Sequence, residues 1–263
     1  MKRTYLCVFI GFLFFSGCGT PPATRSTERM ESTTSDTDDN ARGRARIHTD
    51  LAVNYLEIRN LAVALEEAGI AQRADPTYGP AFNVAGLIYI ELKDDRSAEE
   101  NFRQALRINA RDSDANNNYG TFLCTRKREA EGIKHFLLAV SDPLYQFPDR
   151  SYVNAGVCAR RIGDLAGAEN YFRLALKTQP NQIQALYQLA DLAYERKGFP
   201  EARGFLTRLV PVARNSPEIL WLMLRTERQI GTDVPTIESL THQLRRRFPE
   251  SKETAALDGG RFE

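Results

Sequence analysis

The chain has 263 residues, 35 Lys and Arg against 34 Asp and Glu, and a formal net charge of +1. Removing Lys2 and Arg3 with a leader would leave 33 against 34, or −1. A balance so near zero argues against a nucleic-acid binder, which normally carries a clear basic excess.

The chain opens MKRTYLCVFIGFLFFSGCG. Lys2 and Arg3 form a positive start, and Leu6 to Phe15 is a ten-residue apolar run. That run is far short of the roughly 20 residues a membrane-spanning helix needs. Ser16 and Gly17 are the small residues expected before a cleavage site, so residues 1–17 read as a signal peptide. An ordinary cleaved signal and an uncleaved anchor both compete for this stretch. The cysteine directly after Ser-Gly favours a third reading, because FSGC resembles a bacterial lipobox, with Phe15 where Leu is usual. The resemblance implies a diacylglycerol on the Cys18 thiol, the only cofactor-like group expected. Gly19 in the following position implies the outer membrane, facing the periplasm. Acyl chains contribute about 0.8 kcal/mol per buried methylene, so several would anchor the chain stably.

Residues 18–42 are mostly Thr, Ser, Pro, Asp, Glu and Arg. Such a composition buries too little apolar surface to offset its ordering entropy. The expectation is a lipidated disordered tether spanning roughly 25–30 Å.

Ala81 to Asp112 reads AFNVAGLIYIELKDDRSAEENFRQALRINARD. Large residues at Phe82, Tyr89, Phe102 and Leu106 alternate with small ones at Gly86, Ala98 and Ala105. This is the tetratricopeptide pattern: two amphipathic helices, with small side chains where they cross. Copies recur every 34 to 36 residues. Ala45 to Tyr78 supplies Tyr55, Ala64, Ala68 and Ala71. Ser113 to Pro148 supplies Tyr119, Gly120, Gly132, Phe136 and Ala139, with two extra residues near its end. Asp149 to Gln182 supplies Ala155, Gly156, Ala168, Phe172 and Ala175. Ile183 to Pro217 supplies Leu189, Ala190, Ala202 and Leu206, and Glu218 to about Lys252 is a worn copy with Trp221, Leu224 and Leu244. The expected fold is all-α, a right-handed α-solenoid of about six tetratricopeptide repeats over residues 43–252, with 253–263 a C-terminal tail.

No catalytic or metal-binding pattern is present. His48, His135 and His242 are scattered, and neither a phosphate loop, a Gly-x-Ser-x-Gly elbow nor HExxH occurs. Asp38-Asp39 and Asp94-Asp95 read as solvated loop or tether charges. Arg245 to Arg247 close a predicted helix, where cations favour the dipole. Of the four cysteines, Cys7 belongs to the leader. Cys124 and Cys158 fall in the first helices of repeats three and four. They are either free core thiols or a disulfide, which an oxidising compartment permits.

First helices of stacked repeats line a groove. In it the register places Val53, Leu56, Leu87 and Ile90 as an apolar stripe, with Asn83, Asn117 and Thr121 beside it. Such a surface suits an amphipathic helix or extended tail, with the asparagines meeting its backbone.

Two strings narrow the reading: Asn116 to Cys124 (NNNYGTFLC), and Asp142-Pro143-Leu144-Tyr145 followed by Pro148, Tyr152, Asn154-Ala155-Gly156 and Cys158. With the lipobox and six repeats, these resemble the type IV pilus biogenesis and stability lipoproteins (PilF/PilW). The resemblance runs from the signal peptide to about Lys252. It implies a non-enzymatic pilotin whose partner is the secretin, the outer-membrane pore subunit that it escorts and helps assemble into a ring. A periplasmic tetratricopeptide scaffold for another envelope complex is the alternative. A co-chaperone clamp is disfavoured, because Thr49 and Val53 stand where its Lys and Asn would be.

Overall fold

The computed structural model describes residues 31–214 and 216–262. The signal segment, Cys18 and the tether as far as residue 30 lie outside the described residues. Residues 41–262 belong to one compact unit.

The described residues form helices and turns only. The first pair is α1 (Glu31–Glu57) and α2 (Leu61–Ala74), then α3 (Gly79–Glu91) and α4 (Asp95–Ile108), α5 (Ser113–Thr125) and α6 (Glu129–Ala139). Next come α7 (Pro148–Arg161) and α8 (Leu165–Thr178), α9 (Ile183–Glu195) and α10 (Phe199–Leu209), α11 (Pro217–Ile230) and α12 (Val234–Arg247), and finally α13 (Lys252–Asp258). Six hairpins match the six sequence copies.

Each hairpin turns through one residue in the left-handed region: Arg59, Lys93, Lys127, Gly163, Lys197 and Gly231, with φ between 60° and 79°. They are 34 residues apart, except for 36 between Lys127 and Gly163. After each, an amide reaches back five residues to close the preceding helix, as in Asp94 to Tyr89 O (2.9 Å) and Gly198 to Ala193 O (2.8 Å). This is the Schellman arrangement, which satisfies carbonyls left over at a helix end. Asp94 and Asp164 then cap α4 and α8 by accepting from Ser97 N and Gly167 N.

The crossing points follow from residue size. A Cβ on Gly86 or Gly156 would fall 2.7 or 2.5 Å from the ring of Phe102 or Phe172. In repeat three two glycines meet instead, and a Cβ on Gly132 would stand 2.7 Å from Gly120 O. Phe102, Phe136 and Phe172, fully buried, fill the space beside these crossings.

Three pairs of neighbouring first helices touch (α3 with α5, α5 with α7, α9 with α11), and among the described residues no pair of neighbouring second helices has comparable contact. The first helices are therefore the tighter, inner layer, and the face they line positions the candidate site.

Two expected boundaries change. The tether was expected to be disordered to residue 42, but α1 begins at Glu31. Once the packed turns around Ala45 and Ala52 exist, each residue added upstream gains a backbone bond without a new nucleation cost. The C-terminal tail is also structured from Lys252. Leu257 packs with Leu220, Leu224, Leu240 and Leu244, and Phe262 stacks on Trp221 at 5.3 Å. The last pair has no following repeat, so its apolar face needs such a cover.

Candidate functional site

The inner face is built from α1, α3, α5 and α7. Val53 and Leu56 are half-buried against a cluster of Ala52, Ala64, Ala68, Val84, Ala85 and Ile88. Leu87 and Ile90 are half-buried one repeat on, against Ala98, Phe102, Tyr119, Phe122 and Leu123. The four stripe residues thus belong to two successive inter-repeat seams. Each has an incompletely covered side chain, and each also holds its seam together.

The asparagines are placed differently from the sequence expectation. Asn83 is buried, and its Oδ1 accepts from Asn118 Nδ2 at 3.1 Å. Asn117 Oδ1 accepts from Ser151 Oγ at 2.9 Å and from Asn154 Nδ2 at 3.1 Å. Exposed Thr121 donates its hydroxyl to Asn117 O at 2.9 Å and lies 3.5 Å from Asn154 Nδ2. The carbonyl oxygens expected to meet a partner's backbone are therefore already committed between repeats. The physical reason is register: a polar side chain at the seam faces the next first helix, and a buried amide left unpaired costs about 1–3 kcal/mol.

Three consecutive asparagines point three ways because successive helical residues diverge by about a quarter turn. Asn118 reaches back to repeat two, and Asn117 reaches forward to repeat four. Asn116 donates to Ala110 O (3.0 Å) and Asp112 O (2.9 Å), and its Oδ1 meets His135 Nδ1 at 2.8 Å. His135 also lies edge-on to Tyr119 at 4.7 Å. Burial holds the His135 imidazole below the ordinary histidine range, and Arg128 adds to this against an opposing pull from Glu131. Sequence reasoning missed Ser151 and Asn154 as members of this seam. The signal available was their position one repeat on from the asparagine run.

Cys124 and Cys158 are joined as a disulfide between α5 and α7, with Cα atoms 5.9 Å apart. Both are buried, with Phe136 and Ala155. The bridge floors a small depression of about 170 Å³ bordered by Thr121, Thr125, Asn154, Val157 and Arg161. Arg161 donates from Nη1 to Cys124 O at 3.3 Å.

Beyond α7 the inner face becomes charged. Arg160 donates to Gln188 Oε1 (2.6 Å), Asp191 Oδ2 (2.7 Å) and Glu195 Oε1 (2.5 Å). Elsewhere, ion pairs fasten one repeat to the next. Glu99 on α4 meets Arg103, Arg128 and the Tyr119 hydroxyl. Burial pushes the Glu99 carboxyl up, but those hydrogen bonds and cations outweigh it and hold it below the usual range. Glu169 on α8 repeats the arrangement with Arg173 and Arg196.

Tetratricopeptide-repeat family models match residues 79–112 and 161–226. The type IV pilus assembly protein PilF of Pseudomonas aeruginosa is 28% identical over 216 residues, covering 82% of this chain and 85% of PilF. The solved structure of P. aeruginosa PilF superposes with a TM-score of 0.77 at 26% identity, covering 84% of this chain and 99% of that one. The structure of PilW, described as a widely conserved type IV pilus biogenesis factor, gives a TM-score of 0.72 at 30% identity. That match covers 81% of this chain and 97% of PilW.

Proposed function

Because the chain belongs to the PilF/PilW family of tetratricopeptide-repeat proteins, we propose that it is a non-catalytic protein-binding scaffold for type IV pilus assembly. The observation that carries this reading is 30% identity to the pilus biogenesis factor PilW across 97% of that chain. More narrowly, the chain acts as a pilotin. A lipid on Cys18 holds it at the outer membrane, facing the periplasm, and its partner is the secretin subunit. The lipobox-like FSGC and the half-covered stripe of Val53, Leu56, Leu87 and Ile90 support that reading. The stripe and exposed Thr121 suit an apolar segment laid along first helices.

The test is deletion of the gene and complementation, scoring surface pili, secretin rings and envelope integrity. The scaffold reading predicts loss of pili with an intact envelope. Cys18→Ala should restore a folded protein but not its fractionation with outer membranes. Rings that form normally in the deletion strain would end the pilotin reading. A leaky envelope with normal pili would point to a different envelope complex.

A further inference from the structure

Among the described residues, Arg225 on α11 has no carboxylate partner, although it lies on the charged part of the inner face. Its guanidinium sits between two aromatic rings, 4.5 Å from the Tyr194 centroid and 5.8 Å from that of Trp221. Its Nε is shielded from solvent and has no hydrogen-bond acceptor. Both rings lie within cation–π reach of the guanidinium carbon, an attraction that satisfies none of the guanidinium's N–H donors. The carboxylates around it are taken. Asp191 and Glu195, which border the same depression, are both engaged by Arg160.

Arg225 borders a surface depression of about 650 Å³ whose wall also includes Asp191, Tyr194, Glu195, Lys197, Phe199 and Gln229. Lys197 is exposed at the α9–α10 turn and has no ion pair among the described residues. Arg225 and Lys197 thus lack ion pairs of their own, and with Arg160 counted the site holds three cations against two carboxylates, a surplus of one positive charge, beside the amide of Gln229. Tyr194 and Phe199, in edge contact at 5.4 Å, form an apolar wall beside them.

We infer that this depression binds a peptide carboxylate, with Arg225 gripping it and Lys197 adding charge, while an adjoining apolar side chain of the same peptide rests on Tyr194 and Phe199. A guanidinium edge pairs with a carboxylate through two parallel N–H bonds, among the stronger contacts a peptide can make. Two repeats, α5–α6 and α7–α8, separate the site from the apolar stripe, so only a long extended partner running along the first helices would meet both. The inference does not depend on the pilus reading.

Trp221 is the one tryptophan of the chain and touches Arg225, so its fluorescence reports occupancy. The probes are three hexapeptides: alternating Leu and Glu with an amidated end, the same with Gln for Glu, and the Gln peptide with a free carboxylate end. The expected result is a saturable change with the Glu peptide, the free-acid peptide or both, and none with the amidated Gln peptide. Binding of the first places the carboxylate on a side chain, and binding of the last places it at a chain end. Arg225→Met should weaken the midpoint at least tenfold. Lys197→Glu, at an exposed turn, should weaken it severalfold with an unchanged melting curve, so the inference remains testable even if Arg225→Met misfolds. It is overturned if no peptide gives a saturable change, if the amidated Gln peptide binds as well as the others, or if correctly folded variants bind like the parent.

Discussion

Gly156 and the ring of Phe172 share one space: a Cβ on the glycine would stand 2.5 Å from the ring. The pair sits where α7 crosses α8, and Gly86 with Phe102 repeats it two hairpins earlier. Phe172 is fully buried in the largest core cluster and cannot swing to solvent. Gly156→Val should therefore cost about 1–3 kcal/mol through overpacking, read as a lowered urea midpoint with little change in slope. Gly204, which has open space around its Cβ position, is the control, and Gly204→Ala should not destabilise.

Lys93 and Lys127 are exposed and sit at φ 61°, where a Cβ crowds the following carbonyl. Their counterparts in repeats four and six are Gly163 and Gly231. Lys93→Gly and Lys127→Gly should each stabilise by about 0.5–1 kcal/mol, the relieved strain minus the glycine's extra entropy. In a domain of this size a melting temperature moves about 2–4 °C per kcal/mol, which differential scanning calorimetry resolves. Lys93→Ala, which keeps the Cβ, should give no gain.

The bridge between Cys124 and Cys158 joins first helices of adjacent repeats across 34 residues. Alkylation without reduction, followed by peptide mapping, should find neither thiol modified. Cys158→Ser should then lower stability by about 2–4 kcal/mol, as expected when a cross-link of this kind is lost. Alkylation of both thiols in the unreduced, denatured protein would show that the seam is held by packing and asparagines alone.

His135 carries a pH signature. Its imidazole is pushed below the ordinary range in the folded chain, mainly by burial. The unfolded chain therefore binds the proton first. Stability is fully present above the ordinary value of about 6.5 and falls as pH drops through the window beneath it. Urea unfolding at about pH 7.5 and about pH 5.5 should show a loss that His135→Gln reduces, with the glutamine amide still able to donate to Asn116 Oδ1. An equal loss in both proteins would assign the effect to other groups.

Of the groove residues, Thr121 is the cleanest probe. It is exposed, whereas Leu87→Asp would also damage the seam around Phe102 and Tyr119. Thr121→Arg should weaken capture of the secretin by the purified chain with no fall in melting temperature. Undiminished capture would move the partner contact away from this part of the inner face.

The repeat fold was legible from the sequence because size alternation is a local property. Gly86 before Phe102, and Gly156 before Phe172, announce a crossing at any sequence position, and the 34-residue period survives the two-residue insertion before Pro148. The candidate site was legible only in part. Val53, Leu56, Leu87 and Ile90 were placed on the inner face by register alone. Whether Asn83 and Asn117 meet a partner or one another depends on how far one repeat is displaced against the next. That displacement is set by side chains from separate hairpins, such as Ser151 and Asn154, and no local pattern records it. The same holds for Arg225: its sequence neighbours cannot show that Arg160 takes the nearby carboxylates and leaves this guanidinium between two rings. The helix from Lys252 likewise followed from an apolar face left open by the last repeat, a condition that exists only once the preceding helices have stacked.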